Sequence, residues 1–397
     1  MRGLRTVSAV ALLAVFALVP ATPAQAEATC PAPPAPGQPI PGVPWPQARY
    51  DLGRLAGIAD GTGITVAVVD SGVDSGHPQL ARTVLPGADL LTPGGTGQRD
   101  CVGHGTAVAS IIAAAPAPGV DFVGLAPKAR IMPFRVTERE LVDGHPQGRE
   151  GGPDALARAI RDAADRAQVI NLSLAQEADD PQLRAAVEYA LARDVVVVAA
   201  AGNQHREGGI DPPSYPAAYS GVLGVGGVDE KGVRVAQSPV GPYVRVVAPG
   251  AGVIAAAPGQ GLARYDGTSF AAPFVSATAA LIRQYHPGIH ADEVVARILA
   301  TADPAPGGRP SGGYGYGIVN PYRAVTDQLD PTRPAAAAPG PVPPPGAAAP
   351  APRSSARGTA LVLALTGVVL ASLIVLVATV LPRGAARAWR TASTPEP

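Results

Sequence analysis

An α/β fold built on a mostly parallel central sheet is what this sequence predicts, and three observations predict it. Strand-like and helix-like segments alternate along residues 61–329, as they do in layered α/β domains. The strand-like segments are almost continuously apolar, which marks strands covered on both faces, as in a parallel sheet. One of them runs straight into Asp70 and a Ser-Gly turn. That places a carboxylate at a strand's carboxyl end, where open α/β sheets bind their ligands.

In chain order, strands are expected over 64–69, 130–136, 169–172, 195–200, 222–225 and 244–247, each a short and largely apolar run. Helices are expected over 106–115, 154–167, 181–192, 269–285 and 291–301. The first is a small-residue run just after Gly103-His104-Gly105, and the third follows Asp179-Asp180, a helix N-terminal feature. Residues 86–100 and 138–153 read as exposed loops able to rim a cleft.

The ends of the 397-residue chain are not globular. Residues 1–26 carry Arg2 and Arg5, an apolar stretch and Ala24-Gln25-Ala26, the pattern of a signal peptide cleaved after Ala26. Residues 27–60 are an extension rich in Pro, Gly and Ala. Residues 330–358 form a Pro/Ala-rich linker, expected to be extended and fairly stiff. Residues 359–381 are an uncharged apolar run long enough to cross a bilayer as one transmembrane helix. Arg383, Arg387 and Arg390 in the tail 382–397 place that tail in the cytoplasm. A signal peptide independently requires the upstream domain to be outside. The expected topology is single-pass in the cell membrane, with an extracytoplasmic domain.

Lysine and arginine together match aspartate and glutamate, 31 against 31, and no basic cluster stands out. No nucleic-acid partner is implied. No dense acidic loop suggests a metal, and no cofactor is expected. The only two cysteines, Cys30 and Cys101, are expected to form one disulfide in an exported protein. Cys101 lies three residues before His104, so the bond ties the mature N-terminus beside that histidine.

Three short Gly-rich segments carry chemistry. Asp70 is followed by Ser71-Gly72-Val73-Asp74; His104 lies in Gly103-His104-Gly105-Thr106; Ser269 lies in Gly267-Thr268-Ser269-Phe270-Ala271-Ala272-Pro273. Singly, each is an ordinary turn residue, cap or helix start. Together they supply a nucleophile, a base with a pKa near neutrality and a carboxylate to orient it.

In this order, Asp then His then Ser, they resemble the active-site motifs of the subtilase family of serine proteases. The resembling segments run from about residue 44 to about residue 325. The resemblance implies a three-layer subtilisin-like peptidase domain, here 61–329, acting on peptide or protein substrates with Asp70, His104 and Ser269 as catalytic residues. It places Asn203, in Val-Val-Val-Ala-Ala-Ala-Gly-Asn, in the oxyanion hole, and Ser173, Leu174, Ala175, Ala201 and Gly202 along the substrate. Ser214 falls where the family often has glycine at the base of the specificity pocket. A folded inhibitory prodomain, common in the family, does not fit within 27–60, so the extension is expected to stay attached as a strap.

The signal peptide, the short disulfide-tied extension, Phe274 where many subtilases have His, the Pro-rich linker and the single C-terminal span together resemble the mycosins. Those are membrane-anchored proteases associated with type VII secretion in actinobacteria. This resemblance implies a protease at the outer face of the membrane, belonging to a type VII secretion membrane complex. A secretion-independent surface subtilase, or a mainly structural component with little turnover, stays open as an alternative.

Overall fold

The computed structural model describes residues 30, 35–142, 145–206 and 208–329. The signal peptide, linker, membrane span and tail read from the sequence lie outside them. Among the described residues, no helix is long and apolar enough to cross a membrane.

Seven strands form the central sheet: β1 (Thr65–Asp70), β2 (Ala88–Asp89), β3 (Arg130–Arg135), β6 (Val169–Leu172), β7 (Val196–Ala200), β8 (Leu223–Val228) and β9 (Val246–Pro249). Their spatial order is β2-β3-β1-β6-β7-β8-β9, and every pairing is parallel. Successive residues of a strand face opposite sides, and both sides are dry. Val66 and Val68 of β1 enter one core, and Ala67 and Val69 enter the other. This is why the strands carry no polar alternation.

The first core is capped by α3 (His104–Ala113), α6 (Thr268–Tyr285) and α7 (Ala291–Thr301). The second is capped by α4 (Gly152–Ala164) and α5 (Pro181–Ala192). Helix α4 buries Leu156, Ala159, Ile160 and Ala163 at helical spacing. Helix α5 opens with Asp180 accepting from the Gln182 and Leu183 N–H groups, ahead of Pro181. The topology reverses between β1 and β6: the chain after β1 builds outward through β3 on one side and resumes with β6 on the other. A crevice therefore opens at the carboxyl ends of β1 and β6, beside Asp70 and Ser173.

Several elements differ from the sequence expectation. Residues 86–100 are not wholly loop, because β2 adds an edge strand. Residues 138–153 contain an antiparallel hairpin of β4 (Glu140–Val142) and β5 (His145–Gln147). A second hairpin, β10 (Val253–Ala256) with β11 (Leu262–Tyr265), follows β9, and α8 (Pro321–Thr326) closes the described chain.

The extension is also structured. It holds α1 (Trp45–Tyr50) and α2 (Leu52–Ala56), with Asp51 between them in the left-handed region. Upstream, Gln38 exchanges backbone hydrogen bonds with Leu262 at 2.9 Å. Downstream, Tyr50 meets Phe274 of α6 edge to face at 5.7 Å, and the Arg54 guanidinium stacks on Tyr322 at 3.9 Å.

Candidate active site

Asp70 is the last residue of β1 and is 2 % exposed. Its Oδ1 accepts the Ser71 N–H at 2.7 Å and pairs with His104 Nδ1 at 2.7 Å. A carboxylate partner requires the proton on Nδ1, which leaves Nε2 as the lone-pair nitrogen of the neutral ring. His104 is the first residue of α3, entered through Gly103 with φ 93°. The helix start approaches β1 so closely that a Cβ on Gly105 would fall 2.0 Å from the Gly72 carbonyl oxygen. Only glycine permits that approach.

Burial disfavours the imidazolium, yet the charge and hydrogen bond of Asp70, with the charge of Asp100, outweigh it and hold the His104 pKa above its ordinary value. The Phe270 ring, 5.0 Å from the imidazole, walls the site on the α6 side.

Ser269 is the second residue of α6, so its N–H belongs to the helix-end donors that have no intrahelical acceptor. Its carbonyl is unusual for another reason. Four residues on stands Pro273, inside the helix, which has no N–H to return. The Ser173 hydroxyl takes that place, donating to the Ser269 carbonyl at 2.7 Å. Ser173 Oγ in turn accepts from Asn171 Nδ2 at 2.9 Å, and Asn171 Oδ1 accepts from Ser276 Oγ at 2.8 Å. This buried chain ties the first three turns of α6 to the end of β6. The sequence reading gave Ser173 to the substrate; its hydroxyl supports Ser269 from within. Asn171 and Ser276 were missed, although a lone Asn in an apolar strand is a visible signal.

Asn203 and Thr268 are locked together. Asn203 Oδ1 accepts the Thr268 N–H at 2.9 Å, and Thr268 Oγ1 bridges back to Gly202. With its oxygen so held, the Asn203 amide keeps its NH2 group as a donor.

Two cavities meet at Ser269. One, of about 580 Å³, is lined by Asp70, His104, Ser173, Leu174, Ala175 and Ser269, among others. The other, of about 490 Å³, is lined by Ala175, Ala201, Gly202, Asn203, Ser214 and Ser269, among others. All ten residues read from the sequence as catalytic or substrate-facing thus line one cavity or both. Gln176 exchanges both backbone hydrogen bonds with Tyr215, at 2.9 and 2.8 Å. Among the described residues, none before Asp70 lines either cavity. The disulfide joins Cys30 to Cys101 with Cα atoms 5.4 Å apart.

Comparison with known proteins agrees with this geometry. Mycosin-1 of Mycobacterium tuberculosis (strain ATCC 25618 / H37Rv) is 34% identical over 365 residues, covering 80% of this chain and 81% of that protein. The crystal structure of the serine protease MycP1, described as an essential component of the type VII (ESX-1) secretion system, superposes with a TM-score of 0.63. It is 35% identical and covers 74% of this chain and 92% of its own. A chain of an intact ESX-5 inner membrane complex superposes with a TM-score of 0.64 at 30% identity, covering 86% of this chain and 92% of its own. The family model described as "Subtilase family" matches residues 61–317, the whole span over which the sheet, the two cavities and the hydrogen-bonded Asp–His pair are built. The chain therefore belongs to the subtilase family of serine proteases and is related within it to the mycosins.

Proposed function

We propose that this protease cleaves peptide bonds with Ser269 as nucleophile, His104 as general base and Asp70 as the group that orients and stabilises the histidine. The observation that carries this reading is the 2.7 Å bond from His104 Nδ1 to Asp70, with Ser269 lining the same cavity. His104 Nε2 takes the Ser269 hydroxyl proton as the hydroxyl attacks the carbonyl, and later returns it to the leaving amine. The oxyanion is met by the Ser269 N–H at the α6 N-terminus and by the Asn203 amide. Substrate lies as an extended strand beside Ser173, Leu174 and Ala175, with the residue before the scissile bond entering the cavity bounded by Ala201, Gly202 and Ser214. A serine-directed phosphonate applied to the full-length chain in detergent is expected to label Ser269. Labelling that persists at another serine in Ser269→Ala sinks the nucleophile assignment.

The proposed place of action is the outer face of the cell membrane, within a type VII secretion complex. Export by the signal peptide 1–26 and anchoring by the span 359–381, with the tail 382–397 in the cytoplasm, put the domain 61–329 there. The likeness to a serine protease of the ESX-1 system and to a chain of the ESX-5 inner membrane complex supports the partnership. Detergent pull-down from the native host is the test. Wild type and Ser269→Ala are expected to bring down secretion-system membrane proteins, and a chain ending at Pro352 is not. If none of the three does, an independent surface protease becomes the better reading.

A further inference from the structure

Behind the Asp70–His104 pair lies a second carboxylate. Asp100 is 5 % exposed and accepts five hydrogen bonds. Its Oδ1 takes the Ser71 hydroxyl at 2.9 Å, the Val102 N–H at 3.0 Å and the Gly103 N–H at 2.7 Å. Its Oδ2 takes the Thr106 N–H at 2.8 Å and the Thr106 hydroxyl at 2.7 Å. Each hydroxyl also accepts one bond: Ser71 Oγ takes the Gly105 N–H and Thr106 Oγ1 takes the Asp74 N–H, each at 2.9 Å. Each hydroxyl donates its proton to Asp100. Every hydrogen-bond partner of this carboxyl donates to it, so a protonated Asp100 would have to turn one of the hydroxyls around to place its own O–H. Burial is the largest influence and holds the Asp100 pKa above the ordinary carboxylate value, while the hydrogen bonds from Thr106, Gly103 and Val102 favour the anion and act against it.

The four partner residues are not scattered. Ser71 follows Asp70, and Val102, Gly103 and Thr106 flank His104. One side chain thus clamps the end of β1 to the first turn of α3. We propose that Asp100 is a positioning residue of this site, a second buried anion that locks Asp70 against His104 and adds its charge to the stabilisation of the imidazolium. The proposal rests on the assignment of Ser269, His104 and Asp70 made above.

Among the described residues no cation forms an ion pair with Asp100; Arg99, its neighbour in the chain, has Nε and Nη1 buried without a hydrogen-bond partner. Asp70 on β1 and Asp74 in the following loop are of the same sign. Arg135 on β3 has its Nη2 3.6 Å from Cys101 Sγ, but its guanidinium is already matched by Asp89 and Glu138. Tyr265 on β11 is a neutral phenol, its pKa pushed up to about 12 by burial and by the charge of Asp100. On α6, the Phe270 ring lies 5.0 Å from the imidazole and carries no charge.

The test uses the full-length chain in detergent, with phosphonate labelling to count working sites and the pH profile of kcat/KM to read His104. Asp100→Asn keeps the shape and removes the charge. It is expected to lower kcat about tenfold with little change in KM, and to move the acidic limb to lower pH by about half a unit, because an imidazolium with one anion fewer loses its proton sooner. Ser71→Ala cuts one strut but keeps the charge, so it is expected to lower kcat with the limb in place. A limb unmoved in Asp100→Asn, or moved equally in Ser71→Ala, overturns the proposal. Isotope-edited NMR of the Asp100 carboxyl carbon in the unmutated fold gives a second reading that no unfolded variant can obscure. An ionised carboxylate throughout neutral pH is expected, and a protonated one overturns the proposal. An unlabelled Ser269 in the unaltered chain overturns the nucleophile assignment and this proposal with it; labelled Ser269 with an unmoved limb overturns this proposal alone.

Discussion

The two halves of the cleft are built differently. On one side, Asp70, Ser71 and Asp100 are buried to 2, 1 and 5 % exposure, and the segment is threaded between β1 and α3 by bonds of 2.7 to 3.0 Å. On the other, Asn203 and its successors run through an exposed loop in which Ile210 is 76 % exposed. That loop is held chiefly by Asp211, which bonds His205, the Arg206 N–H and the Val240 N–H. These bonds outweigh burial and keep the Asp211 carboxyl below the usual carboxylate range. The lesson is a division of labour. The groups proposed to move protons are set into the core and cannot shift without breaking it, whereas those proposed to select the substrate border a loop where sequence can vary at little cost to the fold.

The strongest way to break this comparison is to show that the buried half is dispensable. Ser269→Ala, His104→Ala and Asp70→Asn are each expected to cut kcat by about ten-thousandfold or more, with combined losses far from additive, because the three act as a unit. The pH dependence of the unaltered chain sharpens the point. Since the His104 pKa is raised, activity, which needs the neutral ring, is expected to rise only above the ordinary histidine value of about 6.5. The stability contributed by the charged pair runs oppositely: it is fully present below about 6.5, the unfolded value, and is lost as pH rises through the folded one. A kinetic limb below the ordinary value contradicts the electrostatics of the site.

Asn203→Ala tests the exposed half. It is expected to cost about a hundredfold to a thousandfold in kcat, the scale for loss of one oxyanion donor, with KM nearly unchanged. Because Asn203 Oδ1 also holds the Thr268 N–H, the same variant is expected to lose some stability. A loss in kcat matched by an equal rise in KM would make Asn203 a binding residue instead.

The same division explains what the sequence disclosed. Strands β1, β6 and β7 are legible to within a residue, since a strand dry on both faces shows mainly Val, Ile, Leu and Ala. The catalytic motifs are legible because tight turns and helix starts demand Gly and Thr at set positions. Strand β8 runs on to Val228 through Gly226 and Gly227, residues that read locally as a turn. Helices α1 and α2 hid in a Pro- and Gly-rich stretch, because their formation depends on Tyr50 and Leu55 finding the main core. The roles of Asp100, Asn171 and Ser276 were illegible for the same reason: each is defined by a partner on another element.

Ser214 offers a smaller effect confined to the selecting half. A Cβ on Gly202 would lie 3.3 Å from Ser214 Oγ and 3.6 Å from the Ala175 Cβ, so these two side chains narrow the cavity around Gly202. Cleavage after small residues is expected to be preferred over cleavage after Phe or Tyr. Ser214→Gly is expected to raise cleavage after aromatic residues about tenfold, the lower end of what a small change of pocket volume is worth. Profiling a peptide library on both proteins decides it, and equal aromatic cleavage by the two rejects the argument.

The smallest effect on activity is expected where the extension meets the buried half. The Cys30–Cys101 bond closes a 71-residue separation, worth about 4 kcal/mol of stability on the chain-entropy model. It ends three residues before His104, yet the clamp on that histidine runs through Asp100, Ser71 and Thr106, and none of these bonds involves the disulfide. Gln38, Trp45 and Tyr50 also hold the extension along its length, so reduction does not free it. Cys30→Ser with Cys101→Ser is therefore expected to lower the Tm by several degrees while kcat/KM at low temperature changes by less than about twofold. A large fall in kcat at a temperature where the variant remains folded would mean that the strap, and not the buried carboxylate bed, fixes His104. The contrast between a core-set chemical half and an independently attached extension would then be wrong.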